Sequence, residues 1–440
     1  MKLTRITAAI MVGACSTPAM AEDLMQVYAM SLKSDPQLLA EAASQRAISE
    51  LEVQAKARFL PQVDLSANNG LTNQDTSSRS FSGDTDYNSH GYNLSITQPV
   101  YHKENFVQQS QADIAIESAK ASYQVKEQDL IIRVAEDYFD LLGQQADLSF
   151  AIAEREAIAL QLEQTNQRFD VGMVTITDVA ESQAAYDLAI ASVIDAENEV
   201  ANSKERLRET SGAYVGTLAE LNAESPLVSP EPQNIDQWTE LALAQNPNLV
   251  VARSNIENAR QEIALQKSGH YPSLDLVGQK NYSSQSDTTT GGGSKVHQDS
   301  ISLQFSLPIY SGGSVTSRSR AAGHRLDQAM QNEEQQLRSV SRQTREAYNG
   351  VMSGISRVKA LKQAVISNEK ALESTEAGYE VGTRTTVDVL IARQELFSAR
   401  RDYSNSRYDY TVNVLRLKQA AGTVTEEDLA QINQWLGGQS

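Results

Sequence analysis

The eleven residues FDVGMVTITDV at 169–179 return as YEVGTRTTVDV at 379–389. Three further echoes accompany them. Asp35-Pro36 recurs as Asn246-Pro247, FLPQVDL at 59–65 as HYPSLDL at 270–276, and ITQPVY at 96–101 as FSLPIY at 305–310. The pairs keep their order, and their spacing drifts by only one or two residues, changing inside Ser/Thr/Gly-rich stretches where loops tolerate insertions. Four ordered echoes read as a tandem duplication, so both halves must adopt one architecture.

That architecture follows from periodicity. Each half opens on an Ala/Gln/Glu-rich segment of helical character, 23–58 and 235–268, closed by Pro61 or Pro272. Two short alternating segments follow. In the first half Val63, Leu65, Ala67 and Leu71 alternate with polar residues, and then Tyr92, Leu94, Ile96 and Val100 do the same. The second half offers Leu274 and Leu276, with Val277 off phase, and a clearer run in Ile301, Leu303, Phe305, Leu307 and Ile309. These are period-2 patterns of about ten residues, the length of a membrane-spanning strand, and their polar partners are small and, apart from Asp64 and Asp275, uncharged, which suits a water-filled lumen. An ordinary soluble hairpin with one buried face would show the same alternation. The stretches between the strands, 73–89 and 283–299, are rich in Gly, Ser, Thr and Asp, lack apolar period and read as loop tips.

After each second strand runs a proline-free helical pattern, 102–168 and 312–378. In the first, Ala112, Ile116, Ala119, Tyr123, Leu130, Val134, Tyr138 and Leu141 fall at spacings of three or four, broken by polar Lys126. A helix of this length spans roughly 100 Å and has no globular core to wrap, so it must pack side by side with others, coiled-coil fashion. The repeated phrase then marks the tip of a helical hairpin. Gly172 and Gly382 end the first helix in a left-handed cap, and Thr175 and Thr385, three residues before Asp178 and Asp388, start the next as capping boxes. The copies differ where it matters. Phe169 and Val174 of the first tip become Tyr379 and Arg384 in the second, which alone carries a phenol and a guanidinium. One hairpin equipped with a polar latch and one without suggests that one moves and the other holds still.

Composition narrows the setting. Lys2, Arg5, the apolar ITAAIMVGA and Ala19-Met20-Ala21 form a secretory signal peptide, residues 1–21. VGAC at 12–15 loosely resembles a lipoprotein box, which leaves lipidation of Cys15 as the lesser alternative. Cleavage removes the only cysteine, so no disulfide or thiolate site is expected. It also takes the formal net charge from −18 to −20, since the signal carries two basic and no acidic residues. An exported chain this acidic is a poor nucleic-acid binder. Five scattered histidines without metal spacing, and serines outside any nucleophile elbow, argue against an enzyme, a metal site or a cofactor.

With these features assembled, AGYEVGTRTTVDVL at 377–390, QRFDVGMVTITDV at 167–179, EDLMQVY at 22–28 and QFSLPIYSGG at 304–313 resemble the TolC family of outer-membrane channel-tunnels over essentially the whole mature chain. The resemblance implies an α+β membrane protein: a homotrimer whose four strands per protomer close a twelve-stranded transmembrane β-barrel in outer-membrane lipid, continued by an α-helical barrel across the periplasm. It implies an exit duct for tripartite multidrug efflux or type I secretion, working with a periplasmic adaptor and an inner-membrane transporter, and gated at the hairpin tips. Carried over by residue, the closed-state latch matches Tyr379 and Arg384 with Asp178 and Gln161 as partners, and an entrance acidic ring matches Asp388. The tips at Gly172 and Gly382 match the adaptor-docking ends. The sequence departs from the family pattern at Ile391, where a second acidic residue is expected, and in lacking a long polar C-terminal tail.

The expected organisation is a first repeat at 22–224, with strands 62–73 and 90–101, long helix 102–168, tip 169–177 and helix 176–211. A linker, 225–234, leads to a second repeat at 235–422, with strands 273–283 and 299–310, long helix 312–378, tip 379–385 and helix 386–420. The Pro-rich linker region and residues 423–440 belong, by resemblance, to a belt around the helices. The competing reading is a periplasmic adaptor or secreted coiled-coil protein without channel activity. An adaptor would carry one helical hairpin between β-rich halves, whereas this chain repeats its hairpin.

Overall fold

The computed structural model describes residues 22–77, 82–222, 225–287 and 292–437. The expected signal peptide 1–21, with Cys15, lies outside them, as do 438–440. The described chain is mostly helical, with a four-stranded and a two-stranded antiparallel sheet. In order it runs α1 (Leu24–Ser34), α2 (Pro36–Ser49), α3 (Leu51–Ala57), β1 (Gln62–Ser77), β2 (Ser82–His102), α4 (Lys103–Asp170), α5 (Ile176–Ser211) and β3 (Glu220–Leu221). It continues with α6 (Ile235–Gln245), α7 (Pro247–Ser268), β4 (Ser273–Gln285), β5 (Ser294–Ser306), α8 (Ser314–Glu380), α9 (Thr386–Ala420), α10 (Glu426–Asn433) and β6 (Leu436–Gly437). Two compact units result: Ala40–Val125 with Pro247–Ser339, and Met1–Leu39 with Lys126–Asn246 and Val340–Ser440.

The first unit holds the four-stranded sheet, in the order β1-β2-β4-β5, antiparallel throughout. The central pairing, β2 with β4, joins a strand of each half, from Ser89↔Gln285 to His102↔Ser273. With Gln62 opposite Thr97 and Ser273 opposite Ser306, every helix–strand junction falls at one end of the sheet. Side-chain alternation puts Val63, Leu65, Leu94, Ile96, Ile301, Leu303 and Phe305 on one face, and Val277 on the other beside Thr97 and Ser302. The apolar face is uncovered: Leu71 is 89% and Ile301 84% exposed. At Gly91 a side chain has no room, because a Cβ would stand 2.5 Å from the Tyr282 carbonyl oxygen across the β2–β4 pair.

Two expectations about strands need correction. Most described residues of 73–89 and 283–299 are strand, not loop, with pairing through Asn73↔Asp86 and Ser77↔Ser82 and through Gln285↔Ser294; the loop expectation at 78–81 and 288–291 lies outside the described residues. Backbone ladders need no apolar alternation, so a strand that leaves an apolar environment loses its sequence signal but keeps its hydrogen bonds. Conversely, β5 stops at Ser306 and not at 310, since Pro308 has no N–H to give a ladder.

The opening helices are also broken where single segments were expected. Asp35 (ψ 116°) and Asn246 (ψ 121°) are extended because a following proline disfavours the helical region. Each break is put to use. Asp35 Oδ1 accepts from Leu38 N at 2.7 Å and from Arg133 Nη2 at 2.9 Å, and Asn246 Nδ2 donates to the Ala420 carbonyl at 2.9 Å.

In the helical unit the core gathers around Leu130, Val134, Tyr138, Phe139 and Leu141 of α4, with Leu24, Leu207, Leu415 and Leu429, all buried. Tyr138 Oη donates to the carbonyls of Glu22 and Ala219. The N-terminal end, the segment after α5 and the C-terminus converge here through the β3–β6 ladder and a Glu22–Leu218 bridge. The linker is fastened to α9 by Tyr410, whose hydroxyl donates to the Val228 carbonyl and accepts from Val228 N.

Further along α4, Asp140, Asp147, Glu154 and Gln161 recur every seven residues, a polar line down a coiled-coil helix. Burial pushes the Asp147 and Glu154 carboxyls above their ordinary values of 3.8 and 4.5, against the Asn405 amide bonded to Asp147 and the Arg401 charge near both. An acid raised on folding stabilises the fold fully below its unfolded pKa, and that contribution is lost as pH climbs through the folded pKa. Asp147→Asn with Glu154→Gln is therefore expected to melt higher than wild type at pH 7. The difference should shrink as pH falls toward about 4, as thermal scans across that range would show.

Candidate functional site at the duplicated hairpin tips

The two tips have the same backbone. Gly172 has φ 77° and Gly382 φ 81°, and a Cβ at either would meet nothing within 4 Å. Glycine is needed there for its positive φ alone. Gly172 N donates to Phe169 O at 2.8 Å and Met173 N to Arg168 O at 2.8 Å; Gly382 N and Thr383 N repeat this onto Tyr379 O and Gly378 O. Thr175 and Thr385 are extended N-caps, and each closes a capping box with Asp178 or Asp388.

The carboxylates are held almost identically. Asp178 Oδ2 accepts from Thr175 N at 2.8 Å and Thr175 Oγ1 at 2.7 Å, and Asp388 Oδ2 accepts from Thr385 N at 2.8 Å and Thr385 Oγ1 at 2.9 Å. The Thr175 hydroxyl and amide hold the Asp178 carboxyl below its ordinary value, and the Thr385 amide and hydroxyl do the same for Asp388. Both acids are thus ionised at neutral pH. Their Oδ1 atoms take no part in the cap and remain available to a further donor.

The side chains set the tips apart. Tyr379 lies under the Arg168 guanidinium, 4.5 Å from ring centroid to Cζ, and its hydroxyl accepts from Thr386 Oγ1 at 3.3 Å. The second hairpin's phenol is therefore held by a cation of the first hairpin, a contact that sequence reading missed because Arg168 sits outside the divergent positions. Arg384 is exposed, its stem lying against Gly378, where a Cβ would come within 2.8 Å of Arg384 Cγ. Gln161, 3% exposed, lies along α4 with Nε2 lacking an acceptor. Among the described residues of one chain, Tyr379, Arg384, Asp178 and Gln161 share no hydrogen bond. Ile391, at the expected second acidic position, is half exposed.

Other chemistry is sparse. No group of three or more His, Cys, Asp or Glu among the described residues is arranged to hold a metal, and no described helix is long and apolar enough to cross a membrane. His102, paired with Asp275 at 2.9 Å, sits where β2 meets α4.

The caps generate a test. Thr175→Ala removes the side-chain oxygen that caps α5 and is expected to cost about 1 kcal/mol. Amide hydrogen exchange in residues 176–180 should accelerate, with exchange beyond the first two turns unchanged. Because the Asp178 pKa is lowered on folding, its contribution is present above 3.8 and lost only as pH falls through the folded value, so wild-type protection there should hold at neutral pH.

Comparison with known proteins agrees with this geometry. A family model described as outer membrane efflux protein matches the chain twice, at 27–213 and 238–423, each match carrying one helical hairpin. Outer membrane protein TolC of Vibrio cholerae is 38% identical over 437 residues, covering 99% of this chain and 98% of that one. Alkaline protease secretion protein AprF of Pseudomonas aeruginosa is 29% identical, over 93% of this chain and 86% of its own. The CmeC outer membrane channel of Campylobacter jejuni shares the fold, with a TM-score of 0.75 at 16% identity over 99% of this chain and 98% of that one. The chain belongs to the outer membrane efflux protein family.

Proposed function

We propose that this protein is an outer-membrane exit duct serving tripartite efflux and type I secretion, a passive channel closed at its periplasmic hairpin tips. The observation that carries the reading is the sheet: four strands, an apolar face left open to its surroundings, and two edges, on β1 and β5, without a partner among the described residues of the chain. Four strands do not close a barrel, and an exposed apolar edge is an aggregation hazard in water. Three copies joined β5 to β1 give twelve strands with an aqueous lumen, and outer-membrane lipid covers the apolar face. Membership of the family, and relatives named for efflux and for protease secretion, support both uses. The transporter, not the duct, then selects the cargo.

A homotrimer also gives the tips their missing contacts. The Arg384 guanidinium, whose charge acts on Asp388 of its own chain, has no hydrogen-bond acceptor among the described residues of that chain, and Asp178 keeps Oδ1 for a donor. A neighbouring protomer supplies the match: Arg384 of one chain to Asp178 of the next, with Tyr379 held inside its own chain. Three ionised Asp388 side chains form an acidic ring at the entrance, and with Ile391 in place of a second acid its cation preference is modest. Phe169, Val171, Met173 and Ile176 at the first tip, and Val381 at the second, are exposed apolar side chains around Gly172 and Gly382, suited to docking a periplasmic adaptor. Neither role calls for catalysis or a cofactor.

Single-channel recording in planar bilayers tests the reading. Wild type is expected to show a small, cation-preferring conductance, and Tyr379→Phe with Arg384→Ser to raise it several-fold at unchanged melting temperature. Wild-type channels with no rise in the variant would remove these residues from the gate. Correctly folded protein that forms no channel in either form would remove the duct.

A further inference from the structure

We infer that Arg393 is a second tie of the gate, internal to one protomer and deeper than the tips, a reading that rests on the gated duct proposed above. Arg393 lies two turns into α9, roughly 10 Å from its start. Its side chain is only 15% exposed and spans three helices. Nη1 donates to the Ala157 carbonyl of α4 at 2.8 Å, and Nη2 donates to Glu376 Oε1 of α8 at 2.5 Å. One guanidinium thereby fastens both helices of the second hairpin to the first.

The chemistry suits a tie that releases. A largely buried guanidinium needs a counter-charge, and Glu376, from the same hairpin, supplies it. The contact to the other hairpin is a single hydrogen bond to a main-chain oxygen already engaged in its own helix. When the hairpins part, Arg393 keeps its ion pair and gives up one bond, leaving no buried charge alone. The α4 face it meets is incompletely satisfied: Gln161, four residues from Ala157 and so on the same side of the helix, has its buried Nε2 without an acceptor. Such a seam separates at lower cost than a fully bonded one.

The duplication singles the tie out. At the matching positions 210 residues earlier stand Gln183, bonded to Asp187 within its own helix at 2.9 Å, and Asn166, which is exposed. Both members of the tie therefore occur only in the copy that carries Tyr379 and Arg384. The same copy holds all four of these side chains, at two depths.

The test compares Arg393→Gln, Arg393→Lys and Glu376→Gln with wild type and with the Tyr379→Phe/Arg384→Ser variant, using purified full-length protein. Losing one charge-assisted tie shifts a two-state opening equilibrium by about tenfold. Arg393→Gln should raise single-channel conductance with the tip residues intact, add to the tip variant, and speed amide exchange in 386–396 but not in 407–417. Arg393→Lys, which can keep one partner, should show a smaller rise. If Arg393→Gln does not fold, Arg393→Lys and Glu376→Gln are judged by the same two readouts. Wild-type conductance and exchange in the folded Arg393 and Glu376 variants, with the tip variant open, would overturn the tie alone. No rise in any variant would overturn the gate and the tie together.

Discussion

The pairing of β2 with β4 is the contact on which the rest of the chain depends. It joins one strand from each half through a long antiparallel register, and that register brings the starts of α4 and α8 to the same end of one sheet. Without it, each half would hold an isolated two-stranded hairpin, which is marginal in water. With it, the sheet has a continuous apolar face and, among the described residues, open edges at β1 and β5. Gly91, pressed against the Tyr282 carbonyl, shows how closely the halves approach. The open edges and the bare face are the physical basis of the proposed trimer in lipid.

The helical unit meets a different demand. Helices of 68 and 67 residues cannot be stabilised by one core, and buried apolar groups are concentrated near Tyr138, where three distant stretches of chain converge. Toward the tips the contacts turn polar and sparse: a cation over a phenol ring, a single guanidinium on a carbonyl, an amide with no acceptor. Stability of this kind is graded along the helices, firm near Tyr138 and weak at the tips. The proposed gate is drawn from the weak end, and the capping boxes hold the backbone of each tip independently of its lateral contacts.

The asymmetry between copies gains force because the backbones are so alike. Gly172 and Gly382 differ by a few degrees in φ, and Thr175 and Thr385 cap their helices through the same atoms. Differences in side chain are therefore not consequences of a different fold. The capping role of Asp178 and the latch role assigned by resemblance also prove compatible, since the cap occupies Oδ2 and leaves Oδ1.

Much of this was legible without coordinates. The alternation in 62–71 and 92–96, the long helices and the glycine and threonine of each tip are carried by local periodicity and by backbone angles that few residues tolerate. These are properties of neighbouring residues, so the sequence determined them by itself. The distant partners that Asp35 and Asn246 find, the extension of strands into polar stretches, the Arg168 contact of Tyr379 and the reach of Arg393 to Ala157 were decided by tertiary structure. Each depends on a group from a distant part of the chain, in the last case 236 residues away, and no local pattern encodes which distant acceptor a side chain will find.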